Sequence, residues 1–215
     1  MQPRNEFIDY NFYGAVADEY EKSLNRHGNT ARGVMWSQEE VQQKRFQILT
    51  SVITEKNALI FNDFGCGYGA LFDYLDINGF LKSTSVYFGY DISRQMLKSL
   101  AGKNDKRIRT ILNCELKTKA DYSFVSGTFN LKLDKTNDEW SDTIKRHIMD
   151  MDRYSSFGFA FNLLSARSKR QYPGLFYADG EKVRQWVAAN VVGDVDLKDD
   201  YLEEDFTIIV NKRTI

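Results

Sequence analysis

Apolar side chains recur every three or four residues between residues 11 and 54, a spacing that predicts two amphipathic helices. A loop rich in turn-forming residues separates them at positions 27–33. Ser37, followed three residues later by Glu40, is typical of a capping box and predicts the start of the second helix. The apolar positions are Ala15, Val16, Tyr20 and Leu24 in the first helix and Val41, Phe46, Leu49 and Ile53 in the second.

From residue 58 onward, the pattern changes to short, nearly continuous apolar runs that alternate with amphipathic stretches. Strands that are apolar on both faces and alternate with helices indicate a parallel sheet covered on both sides. The predicted strands cover residues 58–64, 85–92, 108–113, 121–126 and 157–164, and the predicted helices cover 70–75, 94–100 and 137–153.

The end of the chain has a different rhythm. A helix is predicted at 181–190, and strand-like runs follow at 196–201 and 206–211, joined by the polar turn 202–205. Only an antiparallel pair accepts so short a connection. The sequence therefore predicts an α/β fold with a mostly parallel sheet that ends in an antiparallel hairpin. We assign residues 56–215 to this domain and residues 1–55 to a helical N-terminal segment.

Of the 215 residues, 29 are basic and 30 are acidic. Hydrophobic residues make up 42% of the chain, which is enough for one sizeable core. Proteins that bind nucleic-acid backbones normally carry a basic surplus or stripe, so no nucleic-acid partner is expected. The chain has neither a signal-like apolar start nor an apolar run of membrane-spanning length, so no membrane partner is expected either. Its two cysteines, Cys66 and Cys114, form no disulfide framework and no CxxC pair. We expect a reduced, cytoplasmic protein without a metal site.

The sharpest motif is the glycine loop, Asp63-Phe-Gly-Cys-Gly-Tyr-Gly69, which follows the first predicted strand. The three glycines allow the backbone to turn tightly and to approach a ligand at a helix N-terminus. They are Gly65, Gly67 and Gly69, and Cys66 in the same loop is also a candidate cofactor contact. Read as Gly-x-Gly-x-x-Ala, the same residues also satisfy a permissive dinucleotide fingerprint. The glycines alone do not select the cofactor.

Two carboxylates narrow the choice of cofactor. Asp63 would repel a pyrophosphate but favours a cationic ligand such as S-adenosylmethionine, which carries an ammonium group and a sulfonium centre. Asp91, at the end of the second predicted strand, is placed to accept hydrogen bonds from two ribose hydroxyls. The alternative is that Asp63 only caps the loop and Asp91 only caps a helix. Ile92 and Met96 are predicted to cover one face of an adenine.

The ends of the third and fourth predicted strands add weaker signals. Asn113 or Glu115, with Leu116, could contact the adenine, although an exposed loop is equally compatible with the pattern. Ser126 opens a turn at the carboxyl edge of the sheet, where open α/β sheets bind ligands. Gly127 allows the backbone to approach a ligand closely, so we expect this turn to lie under the transferring methyl group.

With these motifs, the chain resembles the class I (seven-stranded, Rossmann-like) S-adenosylmethionine-dependent methyltransferases over residues 56–212. The resemblance implies S-adenosylmethionine as cofactor and a Rossmann-like, mostly parallel sheet with a C-terminal antiparallel hairpin. Gly180 departs from the pattern, because a proline is expected there, which leaves the local loop shape open. The segments that carry the resemblance are 63–69, 89–92 and 121–130, and a bacterial group of small-molecule type is further matched by 27–36, 126–130, 161–164 and 175–179.

Methyl transfer needs a general base only when the acceptor is still protonated. The two histidines are the candidate catalytic residues. His27 lies in the polar N-terminal loop, which would fold over the cofactor edge in the family arrangement. His147 lies on the helix after the fourth strand, where a surface or packing role is the alternative.

Trp36 and Arg45 are candidate cofactor ligands in the N-terminal segment. The guanidinium of Arg45 suits bidentate pairing with the methionine carboxylate, or else it faces solvent. Trp36 either contacts the cofactor or only packs the N-terminal helices onto the core. Because so short a helical pair cannot fold alone, we expect the segment to be a lid over cofactor and acceptor.

The acceptor pocket is predicted to involve Thr128, Asn130, Asn162 and Tyr172, which follow or end strands at the same edge. We expect an enzyme that methylates an oxygen or nitrogen of a small molecule, such as a sugar or a secondary metabolite. The alternatives are a methyltransferase for protein or nucleic acid and a non-catalytic nucleoside-binding domain. The chain lacks the Asn/Asp-Pro-Pro-Tyr/Phe tetrapeptide used on flipped bases, which disfavours a nucleic-acid substrate.

Overall fold

The computed structural model describes residues 10–36 and 38–212, so the predicted cap at Ser37 lies outside the described residues. The helices are α1 (Tyr10–His27), α2 (Glu39–Leu49), α3 (Ala70–Ile77), α4 (Arg94–Ala101), α5 (Asn137–Tyr154) and α6 (Gly180–Asn190). The strands are β1 (Ile60–Phe64), β2 (Val86–Asp91), β3 (Ile108–Leu112), β4 (Ala120–Val125), β5 (Ser155–Ser165), β6 (Tyr177–Ala178), β7 (Asp194–Lys198) and β8 (Asp205–Asn211).

The strands form one sheet in the order β3-β2-β1-β4-β5-β8-β7. The pairs from β3 through β5 are parallel, whereas β8 runs antiparallel to both β5 and β7. This topology confirms the predicted mostly parallel sheet with its C-terminal antiparallel hairpin. The carboxyl ends of β1, β2 and β4 therefore meet at one edge, as the glycine loop requires.

Two details of the C-terminal half differ from the prediction. Strand β7 begins two residues earlier than predicted and ends at Lys198, so the connection to β8 is longer than the four-residue turn. The two-residue strand β6 was not predicted, and it pairs parallel with the end of β5. Strands β6 and β7 are short and partly exposed, so they contain few apolar residues from which a strand could be predicted.

Gly180 is the first residue of α6, and Asp179 caps this helix by accepting hydrogen bonds from the N–H groups of Glu181 and Lys182. The first helical position is the one that favours proline, so glycine here leaves the course of the loop unchanged. A Cβ at Gly180 would lie 3.2 Å from Cγ of Phe206, and the glycine therefore lets α6 approach the sheet closely.

Helices cover both faces of the sheet with separate apolar clusters. On one face, α2, α3 and α4 contribute residues such as Phe46, Leu71 and Leu100. On the other face, α5 supplies Trp140 and Ile144, and α1 packs beside it. Among the described helices, none is long and apolar enough to cross a membrane.

Candidate active site

A cavity with about 1000 Å³ of space between atoms opens at the carboxyl edge of β1, β2 and β4. The glycine loop and the turn after β4 form its floor, and α1 with Trp36 forms its roof. Of the predicted site residues, those in its wall are Trp36, Asp63, Gly65, Cys66, Gly67, Asp91, Ile92, Met96, Asn113, Ser126, Thr128 and His147.

The glycine loop is fixed by its own backbone hydrogen bonds. The N–H groups of Gly65 and Cys66 both donate to the carbonyl of Tyr90, over 2.8 and 2.9 Å. The N–H of Gly67 donates to Oδ2 of Asp91 over 2.9 Å. A pyrophosphate site needs such N–H groups free to point at the anion, and here they are engaged. These three N–H groups therefore hold the shape of the loop and are not available to a pyrophosphate.

Gly65 has a φ of +77°, and a Cβ there would lie 1.9 Å from Oγ1 of Thr128. Thr128 donates a hydrogen bond to the carbonyl of Phe64 over 3.0 Å. Only glycine accepts both the left-handed backbone and this close approach. The side chain predicted to touch the acceptor thus also holds the glycine loop against the turn after β4.

Asp63 is almost fully buried at the end of β1, and its Oδ2 accepts a hydrogen bond from the Tyr87 hydroxyl. Burial raises the pKa of Asp63 to about 7, an effect that the Tyr87 hydrogen bond opposes and that the charge of Asp91 reinforces. A carboxylate held in this way is stabilised by a cation placed next to it. The wall beside Asp63 therefore favours an ammonium or sulfonium group.

Asp91 ends β2, with Oδ1 accepting from the N–H of Ser93 over 2.8 Å and Oδ2 from Gly67. These bonds fix the plane of the carboxylate, and each oxygen keeps a second lone pair for a ligand hydroxyl. Tyr20 of α1 lies close by, and burial, with the charge of Asp91, raises the pKa of Tyr20 to about 12. The roof thus reaches the predicted ribose position.

The turn after β4 is shaped by two residues from elsewhere in the chain, Asn162 and Trp36. Gly127 has a φ of +78°, and its N–H donates to Oδ1 of Asn162 over 2.8 Å. A Cβ on Gly127 would lie 2.2 Å from Cζ2 of Trp36, so the indole rests directly on this glycine. The hydroxyl of Ser126 is buried in the wall without a hydrogen-bond partner among the described residues.

Arg45 lies outside the cavity wall, which does not match its predicted contact with the methionine carboxylate. Its guanidinium forms a buried ion pair with Asp205 at the start of β8. The Trp36 ring lies over it, with Cζ 3.6 Å from the ring centroid. The carboxylate that pairs with Nη2 of Arg45 comes from a strand 160 residues away, which no local pattern reveals.

Seven other predicted residues also lie outside the wall, and two of them are Glu115 and Leu116 after β3. His27 is exposed at the end of α1, and Tyr172 is 58% exposed in the loop after β5. Asn130 is buried, and its carbonyl accepts a hydrogen bond from Phe176. Gly69 precedes α3, where a Cβ would lie 2.5 Å from Cδ1 of Leu100. Asn162, already described, shapes the turn from within β5 without reaching the cavity.

The sequence did not identify the aromatic residues that enclose the cavity. Phe12, Val16 and Tyr20 line its roof at intervals of four residues along α1. Trp140 lines it from α5, and its indole N–H donates to the carbonyl of Phe129 over 2.8 Å. The four-residue interval was the available signal, but it does not tell a helix face that covers a ligand from one that covers a core.

No protein-family model matches the chain. The chain is 33% identical to Rv1506c of Mycobacterium tuberculosis (strain ATCC 25618 / H37Rv), a protein that is named as a methyltransferase. The alignment covers 165 residues, which are 75% of this chain and 98% of that protein. The chain therefore belongs to the same methyltransferase family as Rv1506c, and its fold is that of the class I S-adenosylmethionine-dependent methyltransferases.

Solved structures share the fold. The magnesium protoporphyrin IX methyltransferase of Synechocystis PCC 6803, crystallised with S-adenosylmethionine, is 13% identical with a TM-score of 0.60, over 98% of this chain and 100% of that one. An S-adenosylmethionine-dependent methyltransferase from Clostridium acetobutylicum is 15% identical with a TM-score of 0.59, over 94% and 99% of the two chains.

The cavity fits S-adenosylmethionine, the cofactor with which the Synechocystis enzyme was crystallised. The carboxylate of Asp63 suits its cationic end, and Asp91 suits its ribose. Within residues 10–36 and 38–212, no group of three or more His, Cys, Asp or Glu residues could hold a metal ion.

Proposed function

We propose that this methyltransferase acts on an oxygen or nitrogen of a small, uncharged molecule with a flat apolar face. The roof of the cavity carries the proposal: α1 and Trp36 cover the cofactor edge with aromatic side chains. A polymer would need an open groove at this edge, whereas a small molecule needs a covered one. In the described part of the wall, no lysine or arginine is present to bind a phosphorylated or carboxylated acceptor.

The bound cofactor supplies an electrophilic methyl group on its sulfonium centre. The residues of the chain contribute by orientation and by exclusion of water, which together can account for much of the rate of an in-line transfer. Asp63 and Asp91 would hold the amino-acid end and the ribose of the cofactor. The Ser126 hydroxyl, buried without a partner among the described residues, offers a hydrogen bond next to the turn where we place the methyl group.

We also propose that the lid consists of α1 and the following loop through Trp36. Glu21 accepts a hydrogen bond from the Ser93 hydroxyl over 2.6 Å, and Asn25 accepts one from Gln95 over 2.5 Å. These polar contacts join α1 to the start of α4 near Asp91. The contact between Asn25 and Gln95 is exposed and contributes little energy, and we propose that the roof opens on this side to admit ligands.

A screen for the methyl acceptor tests the proposal. The purified protein, S-adenosylmethionine carrying a labelled methyl group, and separate pools of phenols, sugars, amines, peptides and transfer RNA would be incubated together. We expect label in an uncharged small molecule with a planar ring, detected by mass spectrometry, and none in peptide or RNA. Label in peptide or RNA, or exclusively in phosphorylated acceptors, would overturn it.

A further inference from the structure

His147 lines the cavity from α5, two helical turns after Trp140, which lines it from the same helix. Its ring is held between two phenyl rings, with centroids 4.7 Å from Phe64 and 5.9 Å from Phe129. The Phe129 ring is nearly parallel to it, at an interplanar angle of 22°. The imidazole is therefore fixed in orientation by packing, as a ligand-binding group needs to be.

His147 lies between the carboxyl ends of β1 and β4, where its ring contacts Phe64 and Phe129, and the segment that follows β3. Asn113 and Cys114, which follow β3, lie in the same wall, and the charge of Glu115 acts on the imidazole. The ribose position is at Asp91, the neighbouring strand end, and the amino-acid end of the cofactor is at Asp63 on the next strand. The order β3, β2, β1 along the sheet therefore matches base, ribose and amino acid.

Among the described hydrogen bonds none involves a ring nitrogen of His147, and the residue lines the cavity. Burial lowers the pKa of His147 to about 4, an effect that the charge of Arg146 reinforces and that of Glu115 opposes. At neutral pH the imidazole thus offers one N–H donor and one acceptor nitrogen, without charge. A base with so low a pKa is a poor acceptor of a hydroxyl proton near pH 7.

We infer that His147 binds the adenine of the cofactor, with its neutral imidazole hydrogen-bonded to the polar edge of the base. This assigns it to nucleoside recognition in place of the catalytic role that the sequence suggested. The inference rests on the same cavity as the proposed function, through its cofactor end and not its acceptor end. An adenine presents donors and acceptors side by side, which a neutral imidazole can match and a phenyl ring cannot.

Calorimetric titration of the full chain tests the inference with two ligands. S-adenosylhomocysteine contains the whole nucleoside and the amino-acid end, whereas 5′-methylthioadenosine lacks the amino-acid end. We expect His147→Phe to weaken both ligands by the same factor, about tenfold for one lost hydrogen bond, and His147→Asn to weaken them less. The matched control is His27→Phe, because His27 is exposed, and it should leave both affinities unchanged.

Nitrogen NMR of the unaltered chain gives a second readout that does not depend on a variant. Since the chain contains two histidines, its imidazole signals are simple to assign. We expect 5′-methylthioadenosine to shift the ring nitrogens of His147 and not those of His27. Unshifted His147 nitrogens, or a loss confined to S-adenosylhomocysteine, would overturn the inference and move the imidazole to the methyl end. Failure of the unaltered chain to bind either ligand would overturn the cofactor site itself, separately from any result on the acceptor.

Discussion

The two N-terminal helices show the same amphipathic pattern but do different work. In α2, the inward residue Leu49 is buried in the core that α2 forms with α3, β5 and β8, and Phe46 belongs to the same core while one edge of it lines the cavity. In α1, the inward residues Phe12 and Tyr20 form the roof of the cavity. Apolar periodicity shows that a face is covered, and it does not show whether protein or ligand covers it. Substitutions in α2 should therefore change folding, and changes around the cavity should affect ligand binding.

The largest effect is expected at Arg45 of α2. Arg45→Met should lower the free energy of unfolding by about 3–5 kcal/mol, because Asp205 remains buried without its partner. Denaturant unfolding followed by circular dichroism measures this loss. Lys44→Met is the matched control on the exposed side of the same helix and should change stability by less than about 0.5 kcal/mol. Equal effects of the two substitutions would contradict the core role of α2.

A change on the floor of the cavity should give the opposite result. Asp91→Ala should weaken binding of S-adenosylhomocysteine by about 2–3 kcal/mol, because it removes the acceptor for two ribose hydroxyls and the hydrogen bond that orients Gly67. Asp76→Ala, in an exposed helical position, serves as control. If Asp91→Ala bound the ligand normally, or only lowered stability, the nucleoside would lie elsewhere.

Asp63 gives the cavity a dependence on pH. Its pKa of about 7 in the ligand-free fold means that it is ionised mainly above neutrality, when it attracts the cationic end of the cofactor. Affinity for S-adenosylmethionine should therefore fall about tenfold between pH 8 and pH 6. The effect of pH on folding is opposite to its effect on cofactor binding. Burial raises this pKa above its ordinary value of 3.8, so the folded protein binds the proton of Asp63 more tightly than the unfolded chain does. The contribution of protonated Asp63 to the free energy of unfolding is therefore lost as pH rises from about 4 to about 7.

Asp63→Asn keeps the shape of the side chain and removes its titration. Calorimetry at a series of pH values should then show an affinity that is weaker and nearly constant over this range. A parent protein whose affinity is flat between pH 6 and pH 8 would show that Asp63 does not face the cation.

The smallest effect separates the two helices directly. On addition of S-adenosylhomocysteine, amide hydrogen exchange should slow markedly between residues 25 and 36, because ligand holds the roof closed. Amides 43–49 of α2 should already exchange slowly without ligand and change little. Protection at Gly65 and Gly67 serves as the positive control for binding. Unchanged exchange at 25–36 beside protected glycines would show that the roof is a permanent part of the fold.

The sequence was sufficient to predict those features that depend on residues close together in the chain. The glycine loop, Asp63 and Asp91 lie at strand ends that the apolar runs already marked. The partner of Arg45 and the contact between Trp36 and Gly127 join distant segments, so spacing along the chain carries no trace of them. The same is true of Asn162, whose amide oxygen acts on a turn 35 residues away.

The pairing of Arg45 with Asp205 also bears on how the chain matures during synthesis. Translation delivers α2 early, yet its guanidinium lacks its partner until β8 has left the ribosome, 160 residues later. Until then, α2 has neither its ion pair nor the β8 surface against which it packs. In a nascent chain truncated before Asp205, α2 should therefore not be stably packed. Trp36 stacks on Arg45, so its contact with Gly127 should not form either. Completion of the methyl-transfer pocket is thus among the last events of folding.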